Sequence, residues 1–167
     1  MVNFRIIERP AFEILGKKTW ISGQDNSIFG RFWEKCKEDG LFDKFGEVTG
    51  FQPGKQTRGV TLGVSCVTED PTKRDFYYFI AVEKPDNYSG KDLESYHVPA
   101  SKWAVFECLG KVPEAIVEAE IYAFTEWLPA SEFIHAYAPE MEVYPPESDG
   151  QKDDNYCEFW LPIKEKA

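Results

Sequence analysis

The sequence predicts an α+β fold built as a tandem duplication, and three observations carry that expectation. The hexapeptide "FEILGK" at Phe12–Lys17 returns as "FECLGK" at Phe106–Lys111, differing at one position. Each copy is followed by a stretch of helical periodicity and then by two runs of strand character. Polar segments rich in turn formers, "TEDPTKRD" and "PPESDGQKDDN", separate the paired runs. The predicted order is strand–helix–strand–strand, twice, in a single domain over residues 1–167, with halves of about 1–92 and 93–167. Each half should pack one face of a mainly antiparallel sheet under its helix. The other faces of the two sheets would then meet around a pseudo-two-fold cleft, a natural ligand site.

The elements follow in order. "FEILGK" opens the first unit. Asp25, Asn26 or Ser27 then offers a helix N-cap, Ile28, Phe29, Phe32 and Cys36 recur at helical spacing, and Gly40 is the stop. The strand runs "TRGVTLGVSCV" and "FYYFIAVE" complete the half. In the second unit "FECLGK" leads to Pro113, suited to a first helical turn. Val117, Ile121, Phe124 and Leu128 then form an apolar stripe that Pro129 ends. "EFIHAYAPEMEVY" and "YCEFWLPI" are its strands.

Composition narrows the function classes. Acidic residues outnumber basic ones by 29 to 19, for a formal charge of −10, and no Lys/Arg cluster supplies the basic footprint of a nucleic-acid binder. Cationic or neutral partners are favoured. The aromatic share is 16 %, high enough to suggest a pocket lined with rings. Cys36, Cys66, Cys108 and Cys157 are too widely spaced for a zinc site and read as buried free thiols, and no metal or other cofactor is expected. His97 and His135 show no metal spacing, and neither a phosphate-binding glycine loop nor a nucleophile elbow is present. The start, "MVNFRIIERP", lacks a signal-peptide core, and no run of about 18 apolar residues exists, so a cytoplasmic protein with no membrane association is expected.

Glu158 is the residue that needs explaining. In "YCEFWLPI" it shares a strand face with Tyr156 and Trp160, either as a solvated charge or as an acid in an aromatic pocket. In a pocket its pKa should rise by desolvation, and a cationic ligand would restore its charge and gain cation–π contacts from the same rings. Laying "FYYFIAVE" on "YCEFWLPI" places Tyr78 at the position of Glu158, so both would look into the cleft, although Tyr78 in such a strand also suits the core. Trp33 and Trp127 lie on helices, as core residues or at the cleft edge.

At this point the chain resembles the GyrI-like small-molecule-binding family, known also as AraC-type effector-binding domains and, in stand-alone form, as integron-associated effector-binding proteins. The resemblance runs from Arg9 to Ile163 through "RPAFEILGKK", "VPASKWAVFECLGKVPEAI", "EWLPASEF", "PEMEVYPP" and "YCEFWLPI". It implies a duplicated strand–helix–strand–strand fold and a cleft for aromatic, often cationic, compounds, held by stacked rings and a buried glutamate. It also implies that Glu142 and Tyr144 of "MEVY" join Glu158 at the site. Glu142 otherwise reads as a strand-end charge. The segment "SKWAVF" departs from the family pattern and places Trp103 at the pocket rim. Many members carry a DNA-binding domain, which is not expected here, and a few hydrolyse cyclopropane-bearing alkylating compounds.

Two principal functions follow. One is a stand-alone binding protein for hydrophobic, aromatic and cationic small molecules. The other is a hydrolase in which Glu158 and Glu142 do acid–base work, with Tyr144 or Tyr78 hydrogen-bonding the substrate. Action through a protein partner is the third.

Overall fold

A computed structural model describes residues 2–49, 60–70, 73–86, 88 and 90–166. Of the predicted segments, residues 57–59 of the second strand run and residues 71–72 of the turn after it lie outside the described set. The first half contains β1 (Phe4–Arg9), β2 (Phe12–Ser22), α1 (Ser27–Glu38), α2 (Leu41–Thr49), β3 (Thr61–Ser65) and β4 (Asp75–Glu83). The second contains β5 (Glu94–Val98), β6 (Ser101–Leu109), α3 (Glu114–Tyr122), β7 (Phe133–His135), β8 (Glu140–Tyr144) and β9 (Tyr156–Glu165). A π-helical turn at Ala123–Trp127 and a last turn at Leu128–Ala130 extend α3. No helix among the described residues is long and apolar enough to cross a membrane.

The fold is α+β and antiparallel throughout, and the sheets of the two halves join edge to edge. Strand order is β1-β6-β9-β8-β3-β4-β2-β5, with β7 added on β9, and the seam is the β3–β8 ladder, where Gly63 lies opposite Glu142. β1 and β2 stand six strand positions apart, about 29 Å in a flat sheet at 4.8 Å per strand. The two-residue link Pro10–Ala11 spans at most about 11 Å, so the sheet must curl on itself. Pro99–Ala100 makes the equivalent link from β5 to β6. Each half thus lends its leading strand to the other: β1 pairs with β6 and β5 with β2.

Curling has two consequences. The face opposite the helices closes into a filled core, in which Ile14, Phe79 and Ala81 of the first half pack with Trp103, Val105 and Trp160 of the second. The predicted cleft between those faces is therefore occupied by side chains. On the helix face, α1 and α2 cover Leu15, Tyr78, Ile80 and Val82, while α3 covers Phe106, Phe159 and Leu161. A space remains between the two helical layers, above the β3–β8 seam.

Several expectations are corrected here. The duplication holds, but its register is marked by the two Pro-Ala links and not by the repeated hexapeptide. From those links Ile14 corresponds to Trp103, and the ladders then match Phe79, not Tyr78, to Glu158. Gly40 does end α1, but α2 follows at once and was not foreseen. The "EFIHAYAPEMEVY" run is two strands, broken where Tyr137 takes a positive φ of 55°. The stripe Val117–Ile121 is not the core face of α3. The small residues Ala115, Ala119 and Ala123 pack on the sheet with Ile116, whereas Val117 and Ile121 are 44 % and 57 % exposed. Side chains without bulk let the helix approach the sheet closely, which turns the stripe toward the open space.

Candidate functional site

That space is a cavity of about 1080 Å³. Its floor is the β4–β3–β8 part of the sheet, with Tyr78, Glu142 and Tyr144. One wall comes from α1 and α2, with Phe29, Trp33 and Phe42; the other comes from α3 and its π turn, with Glu120 and Phe124. β-strand alternation sets the floor: Glu140, Glu142 and Tyr144 point to the cavity, while Met141 and Val143 between them enter the opposite core.

Glu142 is the centre of a hydrogen-bonded group. Tyr144 donates its hydroxyl to Glu142 Oε1 at 2.6 Å, and Tyr78 donates to the same oxygen at 3.2 Å. The Tyr78 oxygen in turn accepts from Trp33 Nε1 at 3.0 Å. Burial raises the Glu142 carboxyl above the usual carboxylate range, and the two phenols oppose that rise. Both phenols are themselves pushed well above the usual tyrosine range, by burial first and then by the Glu142 charge, so they remain donors. Glu142 Oε2 accepts no hydrogen bond from a described residue. The rings are fixed against each other: Phe29 meets Tyr78 edge-on at 4.9 Å, Trp33 meets Tyr144 edge-on at 5.4 Å, and Trp33 stacks on Phe42 at 5.8 Å.

Gly63 makes this grouping geometrically available. A Cβ there would run into the Tyr78 hydroxyl and come within 2.9 Å of Glu142 Oε1, so the two side chains meet over bare backbone. The other charges are committed or peripheral. Glu140 contacts His135 at 2.9 Å, and Arg74 donates to the Gly23 carbonyl at 2.6 Å and to Asn26 Oδ1 at 2.7 Å. Among the described residues no cluster of His, Cys, Asp or Glu has a metal-binding arrangement.

The residues singled out in the sequence divide between two faces. Glu142, Tyr144, Tyr78 and Trp33 come together in the cavity. Glu158, Tyr156 and Trp160 lie on the opposite face of the sheet, Trp103 is fully buried in the core there, and Trp127 is packed under α3. None of these five lines the cavity. Glu120, Phe29, Phe42 and Phe124 line it and were not identified as site residues. The apolar stripe on α3, exposed at Val117 and Ile121, was the signal for that wall.

Glu158 is held by the protein's own side chains. It is 8 % exposed and accepts from Tyr156 at 2.6 Å, Trp160 Nε1 at 3.0 Å and Arg5 at 2.9 Å. Burial alone would raise its carboxyl, but these donors and the Arg5 charge outweigh burial and hold it below the usual range, the reverse of the sequence expectation. A depressed carboxyl stabilises the fold above its unfolded titration range, and that stability is lost as pH falls through the folded value. Glu158→Gln is therefore expected to lower stability at pH 7 by about 1–3 kcal/mol. The deficit should shrink below about pH 4, near the reference carboxylate value, while ligand affinity stays unchanged. Thermal melts across pH, beside a binding titration, check both halves of the statement.

Comparison with known proteins agrees with this architecture. The model of the GyrI-like small molecule binding domain matches residues 3–164. The transcriptional regulator BrlR of Pseudomonas aeruginosa is 25 % identical over 164 residues, which cover 97 % of this chain and 56 % of the regulator. The chain thus spans about half the length of that curated relative. Among solved structures, that of SAV2435 bound to tetraphenylphosphonium superposes with a TM-score of 0.75 at 20 % identity, covering 97 % of this chain and 94 % of that one. A hydrolase encoded by lin2189 from Listeria innocua superposes with a TM-score of 0.53 at 13 % identity, covering 96 % and 91 %.

Proposed function

The chain belongs to the GyrI-like small-molecule-binding family, and from that premise we propose that residues 1–167 act as one unit that binds aromatic cations, xenobiotics among them, in the cavity between the helical layers. The observation that carries the reading is Glu142: an acid inside an aromatic cavity, with one oxygen held by two phenols and the other free. A buried carboxylate without a counter-ion is unfavourable, and a delocalised cation supplies that counter-ion at little desolvation cost of its own. The rings around it add cation–π attraction. The ligand seen on SAV2435, tetraphenylphosphonium, has this chemistry.

A titration tests the reading. Tetraphenylphosphonium should quench the fluorescence of Trp33, and triphenylphosphine oxide, an uncharged relative, should bind at least about tenfold more weakly, a difference of 1.4 kcal/mol. Equal affinity for the two would remove Glu142 from its role. Cation affinity should also fall as pH drops through the raised titration range of Glu142, because the protonated acid carries no charge.

A second reading, hydrolysis of a strained ring, draws on the 2.6 Å contact between Tyr144 and Glu142 and on the name of the Listeria innocua protein. Its acid–base pair cannot be Glu142 with Glu158, which face opposite sides of the sheet. Recovery of each ligand by mass after titration separates the readings: a binder returns it unchanged, and a hydrolase converts more than one equivalent.

A further inference from the structure

The cavity holds a second carboxylate, and no described residue secures it. Glu120 lines the α3 wall and makes no hydrogen bond or ion pair with any described residue. Burial pushes its carboxyl well above the usual range, and the charges of Glu142 and then Glu140 push it further. Among the described residues the cation that opposes this is Arg74, two of whose five N–H donors go to Gly23 and Asn26. The remaining acids on the cavity are spoken for: Glu140 by His135, and Glu34 by solvent at the rim of α1. A carboxyl that faces the cavity with no described donor loses solvation without a compensating partner.

We propose that the cavity takes organic dications, with one cationic centre against Glu142 on β8, the other against Glu120 on α3, and an aromatic body between them. The proposal rests on the reading of the cavity as a cation site. Its volume, about 1080 Å³, lies just above the range for drug-sized ligands, about 300–1,000 Å³. Both acids come from the second half of the chain, Glu142 on the sheet floor of the cavity and Glu120 on its α3 wall. They are also held differently. The phenols favour the charged form of Glu142, whereas burial and the neighbouring acids favour the protonated form of Glu120. A second cationic centre at Glu120 draws it into the ionised form and releases its proton.

The experiment uses a bis-pyridinium compound with an aromatic spacer and the mono-pyridinium compound that forms its half. Both are titrated calorimetrically near pH 7 into wild type and Glu120→Gln, in two buffers of different ionisation enthalpy. In wild type the dication should bind at least about tenfold more tightly than its half, with a larger net release of protons. In Glu120→Gln the ratio of the two affinities should fall toward one and the extra proton release should vanish. The substitution removes a strained acid, and its melting temperature should equal or exceed that of wild type. A ratio near one in wild type, or a ratio unchanged in Glu120→Gln, overturns the proposal. If wild type binds neither compound, the cation site itself falls, an outcome distinct from a mono-pyridinium compound that binds as well as the dication.

Discussion

Glu142→Gln is expected to raise the dissociation constant for tetraphenylphosphonium about 100-fold, a loss of 2.7 kcal/mol. Opposite charges about 4 Å apart attract by about 4 kcal/mol at an effective dielectric of 20, and part of that is recovered by the dipole of the amide. The loss should be confined to cations, so triphenylphosphine oxide should bind the variant about as well as it binds wild type. Stability should move the other way. The Glu142 carboxyl is raised by burial, so the folded state holds its proton to higher pH than the unfolded state does. Such a group lowers stability as pH rises from its unfolded range through its folded value. At pH 7 the glutamine variant without ligand should therefore melt higher than wild type, by roughly 2–4 °C for each kcal/mol gained. Loss of affinity with gain of stability is the signature of an acid kept for a ligand. A lower melting temperature with unchanged affinity would make Glu142 a structural residue.

The second large effect comes from a residue that touches no ligand. Gly63→Ala should destabilise the protein by about 1–3 kcal/mol and weaken cation binding at least tenfold. The added methyl group enters the space where the Tyr78 hydroxyl and Glu142 Oε1 meet. The β3 backbone is held on both sides by β4 and β8 and cannot retreat. The side chains must part, which breaks the Tyr78–Glu142 hydrogen bond and turns Glu142 from its place. Tyr78→Phe removes the hydroxyl that the methyl group strikes. In the double variant Gly63→Ala/Tyr78→Phe, part of the lost stability should return, and a double-mutant cycle of melting temperatures reads the coupling. Additive losses would mean that the methyl group acts elsewhere.

How much of this was legible in the sequence depends on parity. The duplication and the strand–helix–strand–strand series could be read because helix spacing, turn formers and apolar runs are local signals, but the leading strands β1 and β5 and the helix α2 were not foreseen. Which face each strand residue takes was harder, since a slip of one residue moves a side chain to the other side of a sheet. Laying "FYYFIAVE" directly on "YCEFWLPI" leaves them one residue out of step with the ladders. That slip put Glu158 and Tyr78 in one cleft, whereas Tyr78 lies under the helices and Glu158 on the far face. The Pro-Ala steps carried the true register, but only long-range pairing of β1 with β6 and β5 with β2 gives them that meaning. Glu142 and Tyr144 were identified through family likeness, and the cavity gives them company. Glu120 was missed because an acid on an amphipathic helix usually faces water, and only packing of the alanine face of α3 on the sheet turns it inward.

The central claim is that ligand enters between the helical layers, on the Glu142 side of the sheet. A crystal structure with tetraphenylphosphonium bound tests it most directly. The account places the phosphonium next to Glu142 Oε2, with phenyl groups against Phe29, Trp33 and Phe124. A phosphonium found instead beside Glu158, Tyr156 and Trp160, with the space between α1 and α3 empty, would contradict it.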